Sequence, residues 1–265
     1  MKEKCKRFGV LGLLALALLL TVSLPTQAAT KKYKNKWVTI NNSPRYYNSK
    51  GKQVKGLQKI NGKYYYFNKY GGQRTGWWKI GNDYYYFRIA NGKKGYMLTS
   101  QTVNGIQLDS KGRAVKTADA LDKLDLLLKA KKIVMKITTK DMTKAQKLRK
   151  CFEYVKTEYQ YLTRRTFRAT VNWERAYARD MFDGGRGNCF SYACAFAYLA
   201  DAVGYQNVYA VSSGGHGWAE INGKVYDPDW ALVSNVDSYF AMSYDLSNVN
   251  GRPNYKANRW YVIKI

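Results

Sequence analysis

The chain has 265 residues, 46% of them hydrophobic, so it can build a packed core and is not disordered throughout. Its 45 Lys and Arg against 18 Asp and Glu give a net charge of +27, and its single histidine, His216, excludes His-rich metal sites. Four cysteines without a CxxC pair argue against a zinc ribbon or a thioredoxin-type redox pair, and the absence of a glycine-rich phosphate loop argues against nucleotide-driven chemistry.

Residues 1–29 read as an export signal. Lys2, Lys4, Lys6 and Arg7 form a basic start, Phe8 to Leu20 is an uncharged apolar run, and Leu24-Pro25 leads into the small cleavage-type residues of Thr26-Gln27-Ala28. The run is shorter than the roughly 20 residues that a membrane span needs. The expectation is a secreted chain starting near Ala29 with no membrane span. Cleavage removes Cys5 and leaves Cys151, Cys189 and Cys194, an odd number that implies at least one free thiol.

Residues 30–117 repeat. Tyr64-Tyr65-Tyr66-Phe67 returns 20 residues later as Tyr84-Tyr85-Tyr86-Phe87, and Gly56 and Gly76 share that shift. Asn61-Gly62 and Gly81-Asn82 precede the aromatic runs, where two-residue hairpin turns belong. Weaker copies sit upstream around Asn48 and Gly51 and downstream around Asn104-Gly105 and Gly112. Each unit reads as strand, tight turn, strand and loop. A single hairpin cannot bury its own face, so the units must stack.

The segment Gly76-Trp77-Trp78-Lys79-Ile80-Gly81-Asn82-Asp83-Tyr84-Tyr85-Tyr86-Phe87 resembles the cell-wall- and choline-binding repeats of exported Gram-positive proteins. The resemblance implies a β-hairpin solenoid, and in choline-binding members an aromatic cage that holds a quaternary ammonium by cation–π attraction. Leu57 stands where a Trp follows the glycine in that family, and Tyr64 and Tyr84 stand where Trp is common. Tyr64, Trp77, Trp78 and Tyr84 are therefore ligand-binding candidates that can equally serve as packing, with choline, teichoic acid or glycan as the ligand. Tyr65, Phe67, Tyr85 and Phe87 read as packing residues. Residues 31–117 hold 19 Lys and Arg against 2 Asp and Glu, a net of +17, whereas residues 118–265 hold 22 against 15, a net of +7. So basic a module should gather on the polyanions of a Gram-positive wall, and export argues against nucleic acid as the partner.

Residues 118–265 read as one α+β domain. Leu121, Leu124, Leu127 and Leu128 place a helix over Ala118–Ala130, and a second helix follows Thr143 as N-cap. Leu148, Phe152 and Val155 share one face of it, with Cys151 beside them as a core or disulfide residue rather than a chemical one. Arg164 to Arg186 reads as an irregular basic stretch. Next, Gly184-Gly185-Arg186-Gly187 leads into Asn188 as N-cap, and Cys189 opens a helix that ends at Gly204. A thiol in the first turn faces the positive end of the helix dipole, which favours the thiolate. Cys194 reads as core. Strands follow over Val208–Ser213, His216–Ile221 and Lys224–Asp227, with Asn222-Gly223 as the hairpin turn. Antiparallel counting puts His216 on one face with Asp227 and Asp229, and pattern alone does not choose between the two carboxylates.

The pieces Gly187-Asn188-Cys189-Phe190-Ser191-Tyr192-Ala193, His216-Gly217-Trp218-Ala219-Glu220 and Tyr226-Asp227-Pro228-Asp229-Trp230 resemble the transglutaminase-like superfamily. The resemblance implies a papain-like core in which a Cys-bearing helix packs on an antiparallel sheet. It assigns Cys189 as nucleophile, His216 as base and Asp227 as the orienting carboxylate. Asp229 stands where that family usually has Thr. The expected activity is acyl transfer on peptides or proteins through a Cys thioester, ending in hydrolysis or transamidation, without metal or organic cofactor. The alternative is a cell-wall adhesin whose transglutaminase-like domain is inactive.

Overall fold

The computed structural model describes residues 33–89, 95–162, 166–234 and 236–265. The expected export signal lies outside these residues, as do Arg164 and Arg165 at the head of the basic stretch. Among the described residues, no helix is long and apolar enough to cross a membrane.

The repeat segment folds as antiparallel hairpins. β1 (Lys36–Ile40) pairs with β2 (Ser43–Tyr47), and β3 (Gly56–Ile60) pairs with β4 (Lys63–Phe67), which also carries β5 (Gln73–Arg74). β6 (Gly76–Ile80) pairs with β7 (Asp83–Phe87), and β8 (Thr102–Val103) with β9 (Ile106–Gln107). The turns at Asn41-Asn42, Asn61-Gly62 and Asn104-Gly105 have positive φ at both residues, and the β6–β7 turn has it at Gly81. These are the conformations that match the twist of the flanking strands. After the second strand of three units the chain wraps around one side chain. Asn48, Asn68 and Asp109 each accept N–H bonds from the residues two and four positions on. Neighbouring units share backbone bonds, Met97 N–H to Tyr64 C=O and Leu98 N–H to Tyr86 C=O among them. Of the four residues expected to pack, Tyr65, Phe67 and Phe87 are buried, and Tyr85 is half-buried.

α1 (Ala118–Ile137) starts from Thr117, whose Oγ1 accepts the Ala120 N–H at 3.0 Å, and it extends past the predicted end at Ala130. α2 (Lys144–Glu158) starts from Thr143 in a reciprocal capping box with Gln146. A short strand β10 (Gln160–Tyr161) follows. The basic stretch expected to be irregular instead contains a helix, α3 (Trp173–Phe182). It buries Trp173, Tyr177, Ala178 and Met181 on one side, and it aims Arg175 and Arg179 at Asp119, Asp122 and Asp125 of α1. Its N-cap, Asn172, has left-handed backbone (φ 57°) and no side-chain cap bond, so the usual start signal is missing.

β11 (Arg186–Gly187) pairs in parallel with β10 and leads into α4 (Cys189–Val203), which ends at the left-handed Gly204. α4 is buried all round from Cys189 to Ala200, the mark of a central helix. Then come β12 (Val208–Ser212), β13 (Gly217–Ile221), β14 (Lys224–Tyr226), the short helices α5 (Trp230–Val233) and α6 (Val236–Tyr239), β15 (Met242–Ser243) and β16 (Tyr261–Lys264). The sheet order is β15-β14-β13-β12-β16, antiparallel at each pairing. α4 lies on β13 and β12, with α1, α2 and α3 packed against its other sides.

The change in composition near Thr117 is not a packing boundary. Trp77, Ile106 and Leu108 of the repeats share one core with Leu124 and Leu127 of α1, Phe152, Phe196 and Trp218. Lys131 of α1 fastens this junction. Its Nζ lies 3.6 Å from the centre of the Trp78 ring and donates to the carbonyls of Thr75 (2.9 Å) and Trp77 (2.5 Å). Burial, reinforced by the charge of Arg74, pushes its ammonium well below the usual lysine range. A second, smaller core joins Ile60, Tyr65 and Phe67 to Trp37 and Tyr46.

Candidate active site

Cys189 begins α4, and two glycines let neighbouring backbone come close to it. A Cβ on Gly187 would collide with the Ser191 side chain, and one on Gly217 would lie 2.7 Å from Phe190 Cδ1 and 3.0 Å from Phe190 Cα. Gly217 thus lets β13 cross the first turn of α4 at contact distance, which brings the preceding residue, His216, to the thiol. Asn188 occupies the predicted N-cap with extended backbone, but its side chain makes no cap bond.

The β13–β14 register runs Ile221↔Lys224, Glu220↔Val225 and Ala219↔Tyr226, as the Asn222-Gly223 turn predicts. Pairing ends there. The Asp227 N–H bonds the Tyr239 carbonyl, and the chain turns into α5. Asp229 is therefore not held across from His216 as simple counting has it. Asp227 Oδ2 lies 2.6 Å from His216 Nε2, whereas Asp229 Oδ2 lies 3.9 Å from His216 Nδ1. Asp227 is fully buried, and two further donors reach it: the Tyr255 hydroxyl on Oδ2 at 2.6 Å and the Trp230 N–H on Oδ1 at 3.1 Å. Tyr255 is a site residue that sequence reasoning missed. It comes from an irregular segment 28 positions after Asp227 and carries no local pattern that points to the site.

Burial by itself lowers the His216 pKa, but the charge and hydrogen bond of Asp227, with a smaller contribution from Cys189, raise it to about 10. Burial raises Asp229 to about 6, the Asp227 charge adds to that, and His216 opposes it. Burial and Asp227 both raise Tyr255, which keeps its hydroxyl proton and remains the donor. Cys189 Sγ, a ring nitrogen of His216 and a carboxylate oxygen of Asp229 all lie within 4.8 Å of one another. With Nε2 committed to Asp227, Nδ1 is the nitrogen left for the thiol. Cys151 and Cys194 are buried and free, as is Cys189. Burial pushes the Cys151 thiol up to about 12 and the Cys194 thiol well above its usual range, consistent with core roles.

Along β13, the Trp218 indole N–H donates to the Tyr244 hydroxyl at 3.0 Å, which donates to Glu220 at 2.7 Å, and Arg259 holds the same carboxylate at 2.7 Å. This chain of bonds ties down β13, the strand that directly follows His216.

The four aromatic candidates of the repeats do not form one cage. Trp77 is 3% exposed, lies in the shared core and donates its indole N–H to Asn104, so its face is closed to a ligand. Trp78 is half-buried, and Lys131 covers its ring. Tyr84 is half-buried against the shared core, with Lys79 Nζ 5.7 Å from its ring centre. Tyr64 alone is exposed, with Lys59 Nζ 5.6 Å from its ring centre.

Residues 131–231 match the transglutaminase-like superfamily, and residues 34–73 and 54–101 match the choline-binding repeat. The chain thus joins β-hairpin repeats of the choline-binding type to a transglutaminase-like domain, in that order. A comparison with curated proteins returned no match. Among solved structures, CbpJ from Streptococcus pneumoniae TIGR4 is 26% identical over 30% of this chain and 26% of its own, with a TM-score of 0.27. The choline binding domain of Spr1274 in Streptococcus pneumoniae is 25% identical over 30% of this chain and 93% of its own, with a TM-score of 0.27. The cell wall endolysin from phage Cp-1 complexed with choline is 21% identical over 32% of this chain and 25% of its own, with a TM-score of 0.25. The chain therefore spans about a quarter of the length of the first of these.

Proposed function

We propose that this protein is a secreted thiol acyl-transfer enzyme held at a Gram-positive cell wall, with Cys189, His216 and Asp227 as its catalytic residues. The observation that carries this reading is the 2.6 Å bond between His216 and the buried Asp227, set beside a thiol in the first turn of a central helix. In this reading residues 1–29 are the export signal, 30–117 hold the wall and 118–265 are the catalytic domain with a papain-like core.

His216 takes the proton of Cys189. The sulfur attacks an amide carbonyl of a peptide or protein, and the backbone N–H of Cys189 donates to the oxyanion at the helix start. The C–N bond breaks, the leaving amine takes the proton from His216, and a thioester remains on Cys189. Water or a second amine, deprotonated by His216, then attacks the thioester and frees the thiol. Asp227 fixes the imidazole so that the working nitrogen faces the sulfur, and it stabilises the imidazolium.

The repeats supply the hold on the wall. Their net charge of +17 suits teichoic acids and anionic glycans, and the match to choline-binding repeats supports choline-bearing polymers as the ligand. Of the four aromatic candidates, Tyr64 is the one open to such a ligand.

The test is to incubate the full chain with purified Gram-positive walls and with a peptide library, and to map Cys189 by mass spectrometry. An acyl adduct that hydroxylamine removes, and that is missing in Cys189→Ala and depleted in His216→Ala, is the expected result. No adduct on any substrate, with Cys189 labelled by iodoacetamide no faster than a free thiol, would leave the inactive-domain adhesin as the correct reading.

A further inference from the structure

We propose that Cys189, His216 and Asp229 also form a binding site for a thiophilic divalent cation of the zinc type, which reversibly blocks the thiol. The blocking effect rests on the acyl-transfer reading above, whereas the binding itself does not. Three observations converge on it.

The first is the donor set. A sulfur, an imidazole nitrogen and a carboxylate oxygen lie within 4.8 Å of one another, and the Nδ1 to Asp229 Oδ2 separation is 3.9 Å. Zinc bonds of about 2.0–2.3 Å place tetrahedral ligand atoms roughly 3.3–3.8 Å apart, so small side-chain rotations close the set. Thiolate and imidazole select a zinc-like ion over calcium or magnesium, which require oxygen.

The second is the support behind the histidine. Asp227 holds Nε2 and so directs the ring to present Nδ1, whose lone pair is freed when the incoming ion displaces its proton, and Tyr255 and the Trp230 N–H hold Asp227 in turn. A carboxylate behind a histidine ligand is the usual outer partner of a zinc site.

The third is Asp229 itself. Asp227 already orients the imidazole, so a second carboxylate on the thiol side has no part in the acyl-transfer sequence. Among the described residues the Asp229 side chain has no hydrogen-bond donor, and its one ion-pair contact is the 3.9 Å approach to His216. The side chains of His216 and Asp229 are 18% and 17% exposed, which gives an ion a way in and leaves a fourth position for water.

The test uses the full chain after chelator treatment, with Co²⁺ as a spectroscopic probe and Zn²⁺ as competitor. Stoichiometric Co²⁺ should produce a thiolate-to-cobalt charge-transfer band that Zn²⁺ abolishes and that is missing in Cys189→Ala. Zn²⁺ should slow iodoacetamide labelling of Cys189 at least tenfold, and EDTA should restore the rate. Asp229→Thr and Asp229→Asn, each compared with its own metal-free labelling rate, should need about ten- to a hundredfold more Zn²⁺ for the same protection. A missing cobalt band would overturn the site. Equal protection in wild type and in both Asp229 variants would overturn the role of Asp229 and with it the three-ligand site. Cobalt absorption does not depend on turnover, so a chain that binds the ion and forms no acyl adduct would sink the enzyme reading and keep the metal site.

Discussion

The Asp227 carboxylate accepts three donors on two oxygens, with no exposure to water. Asp227→Asn keeps the shape but puts an amide in place of one oxygen, and the imidazole proton moves to the nitrogen that should face the thiol. The second-order rate of iodoacetamide labelling at Cys189 should then fall at least about tenfold, and any acyl transfer by about 10²–10⁴-fold. An unchanged labelling rate would remove Asp227 from the site. Tyr255→Phe takes away one donor and leaves the carboxylate buried, so urea denaturation should show a loss of about 1–3 kcal/mol. Its labelling rate should change less than that of Asp227→Asn, because the bond to Nε2 survives. At this scale the sequence pointed to Cys189 and His216 through helix-start chemistry and the scarcity of histidine. Strand counting by itself does not choose between Asp227 and Asp229, because strand pairing ends at Tyr226 and the side of the ring that each carboxylate meets is set by the turn into α5; the family resemblance is what singles out Asp227. Tyr255 lay beyond reach, because only tertiary folding brings its segment to the site.

Elements whose signals are local could be read in advance. Asn-Gly turns, the Thr143 N-cap and the Gly204 stop are each set by a few adjacent residues. α3 could not be read so, because its arginines look like a solvated face until α1 supplies the acids they bond. The contact between α4 and the β8–β9 hairpin carries a testable pH dependence. Asp201, near the end of α4, accepts a bond from Asn104 Nδ2 at 2.8 Å. Burial raises its pKa from an ordinary 3.8 to about 6, against the opposing effects of Asn104 and Lys123. The folded state therefore holds this proton more tightly than the unfolded chain does. The stabilisation is fully present below the unfolded value and is lost as pH rises through about 6. Asp201→Asn keeps an acceptor for Asn104 and has no proton to lose. The difference in melting temperature, variant minus wild type, should grow in favour of the variant between pH 4 and pH 7. A difference that stays flat across that interval would show that Asp201 titrates normally.

Across the whole molecule, the two halves that differ in charge and composition are one packed body at their junction. Compositional contrast marks a boundary near Thr117, and across it Trp77, Ile106 and Leu108 enter the same core as α1. What the pattern could not reveal is that a lysine of the second half would sit on an aromatic face of the first. Lys131→Met keeps the length of the side chain, removes the ammonium and strands the carbonyls of Thr75 and Trp77 without this donor. The expected cost is about 1–3 kcal/mol by chemical denaturation. Calorimetry of the wild-type chain should show the third and fourth hairpins melting together with the transglutaminase-like core in one transition. Separate transitions for these two parts would contradict a shared core.

The Lys131 clasp also decides how far the thiol can travel. An enzyme on a loose leash sweeps a sphere around its anchor and can work on any bond within that radius. Here the hairpin that carries Trp78 is riveted to α1, and α1 packs on the helix that carries Cys189. If the outer hairpins grip a wall polymer, the thiol stands at a fixed height and bearing from the point of grip. Under the proposed acyl-transfer reading, bonds at that one distance would be cut or joined and their neighbours passed over, and the reach of the thiol would be changed by adding or deleting a hairpin rather than by loosening a tether.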